Sequence, residues 1–300
     1  MIKWGLIVLW LAAITYVYFR GRVRVSFFRT ALDHSAVLAP INVFMYLFSA
    51  VPARPFIPVE QFKGLEALGD NWQVIREEAL RLAEAQRIRA ADKNNDAGFN
   101  SFFKTGWKRF YLKWYEAEHP SAAELCPRTV DILRGIPQVK AAMFAVLPPG
   151  GKLNPHRDPF AGSLRYHLGL DTPNSDRCFI EVDGERYSWR DGQAVVFDET
   201  YIHWAENTSV QTRTILFCDI ERPLRYRWAQ RFNHWFSRVF MTAASSPNQD
   251  GDQTGLVNRL FHISWVMGQY RRRLKQWNRT VYQLLRIALI VAVIALIIYI

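Results

Sequence analysis

Asn154–His167 reads NPHRDPFAGSLRYH, and the pair His156 and Asp158 within it decides how the rest of the chain is read. On an extended segment residues i and i+2 point to the same side, so an imidazole nitrogen and a carboxylate oxygen can converge on one ion. His203, 47 residues further on in FDETYIHWAEN, is the candidate third ligand. Two imidazoles and one carboxylate on one face of an octahedron suit non-haem Fe(II) and leave positions open for substrate and O2. Ten residues later Arg213 stands in QTRTILFCDI, a β-rich run, where a guanidinium can clamp a carboxylate through two parallel hydrogen bonds. Each residue alone has an ordinary explanation. H-x-D occurs by chance, a strand histidine is commonly just hydrogen-bonded, and a lone Arg commonly pairs on the surface. Order and spacing together point to an iron oxygenase that uses a 2-oxo acid.

The surrounding sequence reads as short strands. Ala141–Leu147 is followed by the turn PPGG, then Leu164–Leu170, Cys178–Val182, Glu185–Trp189, Ala194–Phe197 and Thr212–Ile220, with Asp183-Gly184 as a hairpin signal. Strands at this spacing predict a double-sheet jelly roll. Such a barrel holds His156 and Asp158 at one strand end and His203 at another, on rigid elements at its mouth. The expected fold class is α+β, a jelly-roll core with flanking helices and terminal membrane-anchoring helices.

The runs FAVLPPGGKLNPHRD, LRYHLGL, YSWRDGQAVVFDETYIHWAEN and TRTILFCDIERP, within Phe56 to Pro223, resemble the aspartyl/asparaginyl β-hydroxylase family of Fe(II)/2-oxoglutarate dioxygenases, and within it the bacterial branch that 2-hydroxylates lipid A. The resemblance implies a double-stranded β-helix with iron on His156 and His203. It implies 2-oxoglutarate held by Arg213 at its distal carboxylate, with Arg165 and His167 near the chelating end. Two positions depart from the animal protein-hydroxylating members. Asp158 stands where those have a non-ligating residue, which completes a triad and favours the lipid branch. Ala145 stands where those have a Ser that helps hold the distal carboxylate, so that hydrogen bond is absent or replaced.

The chain has 300 residues, half of them hydrophobic, and a net charge of +11. Such a balance suggests an anionic partner. No nucleic-acid signature accompanies it, and the basic residues cluster beside apolar segments, so a membrane fits better; nothing implies an obligate protein partner. Cys126, Cys178 and Cys218 are few, odd in number and scattered, which argues against a disulfide framework and fits a reducing compartment. Trp4–Phe19 is an uncharged run, roughly 24 Å as a helix, and reads as a membrane anchor; a cleaved signal peptide is the alternative, without a clear small-x-small site. Arg20, Arg22, Arg24 and Arg29 follow it, and Arg271, Arg272, Arg273, Lys275, Arg279 and Arg286 precede the apolar tail Ile287–Ile300. Both basic flanks face the centre of the chain, which predicts an inner-membrane protein with a cytoplasm-facing catalytic domain.

These readings divide the chain into an anchor and interfacial segment (1–53), a dioxygenase domain (54–223), amphipathic basic and aromatic helices (224–283) and a C-terminal membrane helix (284–300). Ser35–Ala53, charge-free but carrying Pro40 and Asn42, is expected to lie on or re-enter the membrane. Leu65, Leu68, Trp72, Ile75, Ala79 and Leu82 form a helical stripe. Pro127–Ile136 predicts a short helix and Ala90–Asn100 a loop, with part of a mobile substrate entrance as the alternative; Trp107–Trp114 leaves core and membrane contact open. Leu224–Phe240 predicts one helix, either interfacial or covering the barrel, and Ser245–Thr254 a disordered link to a last helix. Asp198 and Glu206 are candidates to orient the two ligand histidines. The expected reaction is hydroxylation of a lipid A acyl chain next to its carbonyl. Hydroxylation of a protein Asp or Asn is the first alternative, and a metal-binding membrane adaptor without catalysis the second.

Overall fold

Period-two alternation along SLRYHLGLD separates two jobs: Leu164, Tyr166, Leu168 and Leu170 face one way, Arg165 and His167 the other. The computed structural model of the protein, which describes residues 2–27, 30, 34–91, 95–278 and 280–283, builds this strand into the middle of a sheet. In chain order the elements are α1 (Ile2–Phe19), α2 (Ala39–Phe48), β1 (Phe56–Ile57), α3 (Trp72–Glu84), β2 (Lys108–Trp114), α4 (Pro127–Arg134), β3 (Val139–Leu147), β4 (Lys152–His156), β5 (Ser163–Asp171), β6 (Cys178–Val182), β7 (Glu185–Ser188), β8 (Ala194–Phe197), β9 (His203–Asn207), β10 (Arg213–Glu221), α5 (Arg227–Phe236) and α6 (Leu256–Trp277). One sheet has the order β1-β8-β5-β10-β3-β2 and the other β4-β9-β6-β7, with antiparallel neighbours throughout. This is the expected jelly-roll core.

The larger sheet is covered on both faces, which is why its strands run nearly continuously apolar. Its outer face, with Phe144, Leu164, Leu168 and Leu216, packs under α3 and α4 through Ile75, Ala79, Leu82 and Leu133. Its inner face, with Met143, Ala145 and Ile215, meets Ile180, Val182 and Ala205 of the smaller sheet. The stripe from Leu65 to Leu82 is split by a break at Asn71 into a short turn, Glu66–Asp70, and α3. The β6–β7 hairpin turns on Asp183 and Gly184, both with positive φ (50° and 88°), as a tight Asp-Gly turn requires. At Gly169 a Cβ would stand 2.0 Å from the Arg190 carbonyl, so no larger residue fits there.

Several expectations change. Lys108–Trp114 is an edge strand whose aromatic rings are buried. The Leu224–Phe240 region holds α5 and then a π-helical turn, Ser237–Met241, instead of one regular helix. Ser245–Thr254, expected to be disordered, is a pinned loop. The Asn248 side chain accepts from the Tyr111 N–H at 2.7 Å and donates to the Tyr111 carbonyl at 2.8 Å, so it pairs with β2 as a neighbouring strand would. Arg109 donates to Ser246 Oγ at 3.0 Å, and Ser121 Oγ to Asp252 at 2.6 Å. Polar composition suggested solvent; here it satisfies buried backbone and charge.

Ala39–Phe48 docks on the barrel through Asn42, whose amide donates to the Pro159 carbonyl and accepts from the Ala161 N–H, both at 2.8 Å. The α1 residues Ala13, Ile14 and Val17 pack beside Ala39, while Trp4, Leu6, Val8 and Leu9 are exposed. Among the described residues no helix is long and apolar enough to cross a membrane, and the tail expected to do so, 284–300, lies outside them.

Candidate metal centre and carboxylate pocket

His156 on β4 and His203 on β9 are cross-strand partners. Leu153 faces Ala205 and His156 faces His203, so three steps along β4 match two along β9. Pro155 falls within this bulge, where its missing N–H costs no ladder bond. The bulge turns both imidazoles to one face, with ring centroids 4.2 Å apart. Asp158 follows the end of β4, fixed by its N–H donating to the Glu199 carbonyl at 2.9 Å. Its Oδ1 lies 3.6 Å from His156 Nε2 and 3.9 Å from His203 Nε2. One ligand atom from each of the three residues lies within 4.8 Å of the others.

Both rings are held alike. His156 Nδ1 lies 2.7 Å from the Asn154 carbonyl and His203 Nδ1 3.0 Å from the Tyr201 carbonyl. A carbonyl only accepts, so Nδ1 carries the proton and each Nε2 lone pair is left toward Asp158. Burial, then the neighbouring His156, pushes His203 down to about 3, which keeps it in the neutral, ligating form. Asp198 and Glu206 do not orient the rings: Asp198 pairs with Arg20 and Arg222, and Glu206 with Lys152. Main-chain carbonyls two residues upstream do that work and leave no trace in residue identity. With tautomers fixed and one carboxylate between them, the donor set fits a ferrous ion.

Arg165 is engaged behind the triad. It pairs with Asp158, with Glu199 at 3.0 Å and with Asp219 at 3.1 Å, and its guanidinium lies 3.7 Å over the Phe217 ring. Burial raises Glu199 to about 8 against the pull of Arg165. The structure thus places Arg165 as the residue that steers Asp158. The sequence reading missed Asp219 and Phe217; β10 alternation, which puts them on the face that carries Arg213, is the signal that points to them.

Arg213 is different. It is buried, and its Nε and one terminal nitrogen have no hydrogen-bond partner among the described residues. Burial alone pulls it down to about 10. It stacks 4.4 Å over the Trp189 ring, whose indole N–H is also buried without a hydrogen-bond partner among the described residues. His167 sits beside them with both ring nitrogens unpartnered among the described residues, and burial, then Arg165 and Arg213, hold it neutral. Buried donors without acceptors are costly, so this cluster is built for an anionic guest. Sequence reading found Arg213 and His167; Trp189 carried no signal beyond an aromatic at a strand end. The cluster and the triad line one pocket, and Phe99, Phe102 and Trp107 wall its other side, with Phe102 4.8 Å from the His156 ring.

A buried Arg-Trp-His anion cluster beside a His-Asp-His triad, on these strands, coincides with a family match over residues 69–223, just over half of the chain. The chain belongs to the aspartyl/asparaginyl β-hydroxylase family. Among the members of this hydroxylase family, the chain is 38% identical over 132 residues to an ornithine lipid ester-linked acyl 2-hydroxylase from Rhizobium tropici, covering 44% of the chain and 46% of that protein. It is 25% identical over 164 residues to the human aspartyl/asparaginyl β-hydroxylase, covering 53% of the chain and 21% of that protein. The chain therefore spans less than half the length of either relative. A Pseudomonas putida prolyl-4-hydroxylase superposes with a TM-score of 0.34 at 17% identity, over 52% of this chain and 88% of that one.

Proposed function

We propose that this β-hydroxylase family member is an Fe(II)/2-oxoglutarate-dependent dioxygenase that hydroxylates position 2 of an acyl chain in a polar membrane lipid, with lipid A as the first substrate to test. The observation that carries the reading is that His156, Asp158 and His203 share one aromatic-walled pocket with an uncompensated buried Arg213. His156, Asp158 and His203 would hold the iron. Arg213 would bind the distal carboxylate of 2-oxoglutarate through its planar fork, with the Trp189 N–H beside it. Bound there, iron with 2-oxoglutarate and O2 supplies insertion of one oxygen into a C–H bond, with succinate and CO2 as co-products. Arg165 keeps Asp158 aimed, and the rings of Phe99, Phe102 and Trp107 exclude water and suit a hydrocarbon chain. The net charge of +11 and the exposed apolar side chains of α1 and α5 support substrate capture at a membrane surface. In this reading the catalytic domain faces the cytoplasm at the inner membrane, which the basic flanks support.

The test is mass spectrometry of products from the full chain supplied with Fe(II), 2-oxoglutarate and O2. Lipid A, ornithine lipid and an Asp/Asn-bearing peptide are offered in parallel. The proposal expects a lipid that gains one oxygen with stoichiometric succinate, lost in His156→Ala. Oxygen gained only by the peptide would overturn the lipid assignment. No 2-oxoglutarate consumption with any of the three would favour a non-catalytic metal-binding adaptor.

A further inference from the structure

The N-terminal helix lies outside the family match, yet its C-terminal end grips both segments that carry the metal-ligand candidates. Arg157, between His156 and Asp158, is 3% exposed and donates from Nη1 to the Val17 carbonyl in the last turn of α1 at 2.9 Å. Cations are favoured at that end of a helix, where carbonyls lack partners. Arg20, one residue past α1, reaches the other segment. Its Nη2 donates to Asp198 Oδ2 at 2.6 Å and its Nη1 to Thr200 Oγ1 at 2.8 Å. Its guanidinium is held between the Tyr46 and Tyr201 rings, 3.9 and 4.0 Å from their centroids. Gly21 follows with φ +102°, and a Cβ there would stand 2.9 Å from the Tyr201 ring, so the chain passes this point only as glycine. The next two N–H groups, of Arg22 and Val23, both donate to Asp183 Oδ1 at the β6–β7 turn.

The loop that Arg20 holds is the one that orients the ligands. Asp198, Thr200 and Tyr201 contact Arg20, while the carbonyls of Glu199 and Tyr201 fix the Asp158 N–H and the His203 ring. We propose that Arg20 and Arg157 are positioning residues for the metal centre, which makes the end of α1 an integral part of the active site. The inference rests on the metal-site reading above and goes beyond it. Arg20 secures the Asp198–Tyr201 loop and Arg157 secures the end of β4. They add to the Asp158–Glu199 backbone bond and the Arg165 bridge a brace that reaches both segments from outside the barrel.

The experiment is titration of the full-length apoprotein with Co(II), read by its visible absorption, in wild type, Arg20→Gln, Arg157→Met, Thr200→Val and the conservative Arg20→Lys. Folding is monitored separately by circular dichroism and Tm with metal chelated. Loss of a partner that orients metal ligands weakens metal binding roughly ten- to a hundred-fold. That weakening is expected for Arg20→Gln and Arg157→Met, with an altered Co(II) spectrum, less for Thr200→Val, and partial recovery in Arg20→Lys. Turnover assays should show a lower kcat with little change in KM for 2-oxoglutarate, because Arg213 sits on β10, away from the brace. Thr200→Val removes the hydroxyl that accepts from Arg20 and donates to Asp198 but leaves the Arg20–Asp198 pair intact, so it loosens the same loop without stranding a buried charge and answers the question even if Arg20→Gln does not fold. Variants that fold and bind Co(II) within two-fold of wild type with an unchanged spectrum would overturn the positioning role. Wild type that binds no Co(II), or binds it equally after His156→Ala, would instead overturn the metal-site reading itself.

Discussion

Arg213 gains its character from what its neighbours lack. A guanidinium can form two parallel bonds to a carboxylate; an ammonium cannot. Arg213→Lys should therefore lose at least one charge-assisted hydrogen bond, about 1.5 kcal/mol or more, and raise KM for 2-oxoglutarate roughly ten-fold or more with kcat little changed. An unchanged KM would remove Arg213 from cosubstrate binding. The Trp189 N–H answers the question raised by Ala145, which faces Ile215 across β3 and β10 on the pocket side and offers no hydroxyl. Trp189→Phe should lose one hydrogen bond to that carboxylate, about 1.5 kcal/mol, or roughly ten-fold in 2-oxoglutarate affinity. Adding Ala145→Ser to that variant should restore part of it. Direct binding by calorimetry without O2 checks both. At this scale the sequence showed the residues whose chemistry is written in their type: the triad, Arg213 and His167. It could not show that Arg165 is consumed by three carboxylates or that backbone carbonyls hold the imidazoles. Those facts depend on which strands become neighbours.

At the scale of elements, strand alternation was legible because it is local. The runs Cys178–Val182 and Ala194–Phe197 are read from the sequence with the ends the fold gives them. The β4–β9 bulge was not legible, since a register slip belongs to a pair of strands and neither sequence alone records it. Charge-free Ser35–Ala53 was read for its apolarity, but a single polar residue decides where its helix, Ala39–Phe48, docks. Asn42 is 1% exposed and satisfies one carbonyl and one N–H of the chain just past Asp158. Asn42→Ala leaves the buried Ala161 N–H unpaired, at roughly 1–3 kcal/mol, and takes the Asn42 donor from the part-buried Pro159 carbonyl. Chemical denaturation should show a loss of at least that order, and a loss under 0.5 kcal/mol would mean water replaces the amide.

For the whole molecule, Asp198 joins three regions: α1 through Arg20, the β8–β9 loop through Thr200, and the chain after β10 through Arg222. Burial opposes its ionisation, but Arg222 and Arg20 outweigh it and hold the carboxyl well below the usual range. A carboxyl depressed on folding stabilises fully above its unfolded pKa, near 3.8, and that stability is lost as pH falls through the unfolded value toward the folded one. Denaturation midpoints should therefore fall below about pH 4 in wild type and fall less steeply in Asp198→Asn. At neutral pH the same variant should be destabilised by roughly 3–5 kcal/mol, because two buried guanidinium groups lose their anion. Equal acid sensitivity in both proteins would show that other carboxylates govern it.

The pairing of Asn248 with β2 bears on how the protein can be shortened. A chain ended at Pro223, where the family match stops, would strip the last strand of the larger sheet of Asn248 and leave the Tyr111 N–H and C=O, next to the Arg109 groups that Arg89 keeps paired, free to template another copy. Such a fragment should self-associate edge to edge, visible as light scattering at micromolar concentration, whereas one carried through the end of α6 should stay monodisperse in the same buffer. On this expectation the boundary of the family match and the boundary of what folds cleanly are different places.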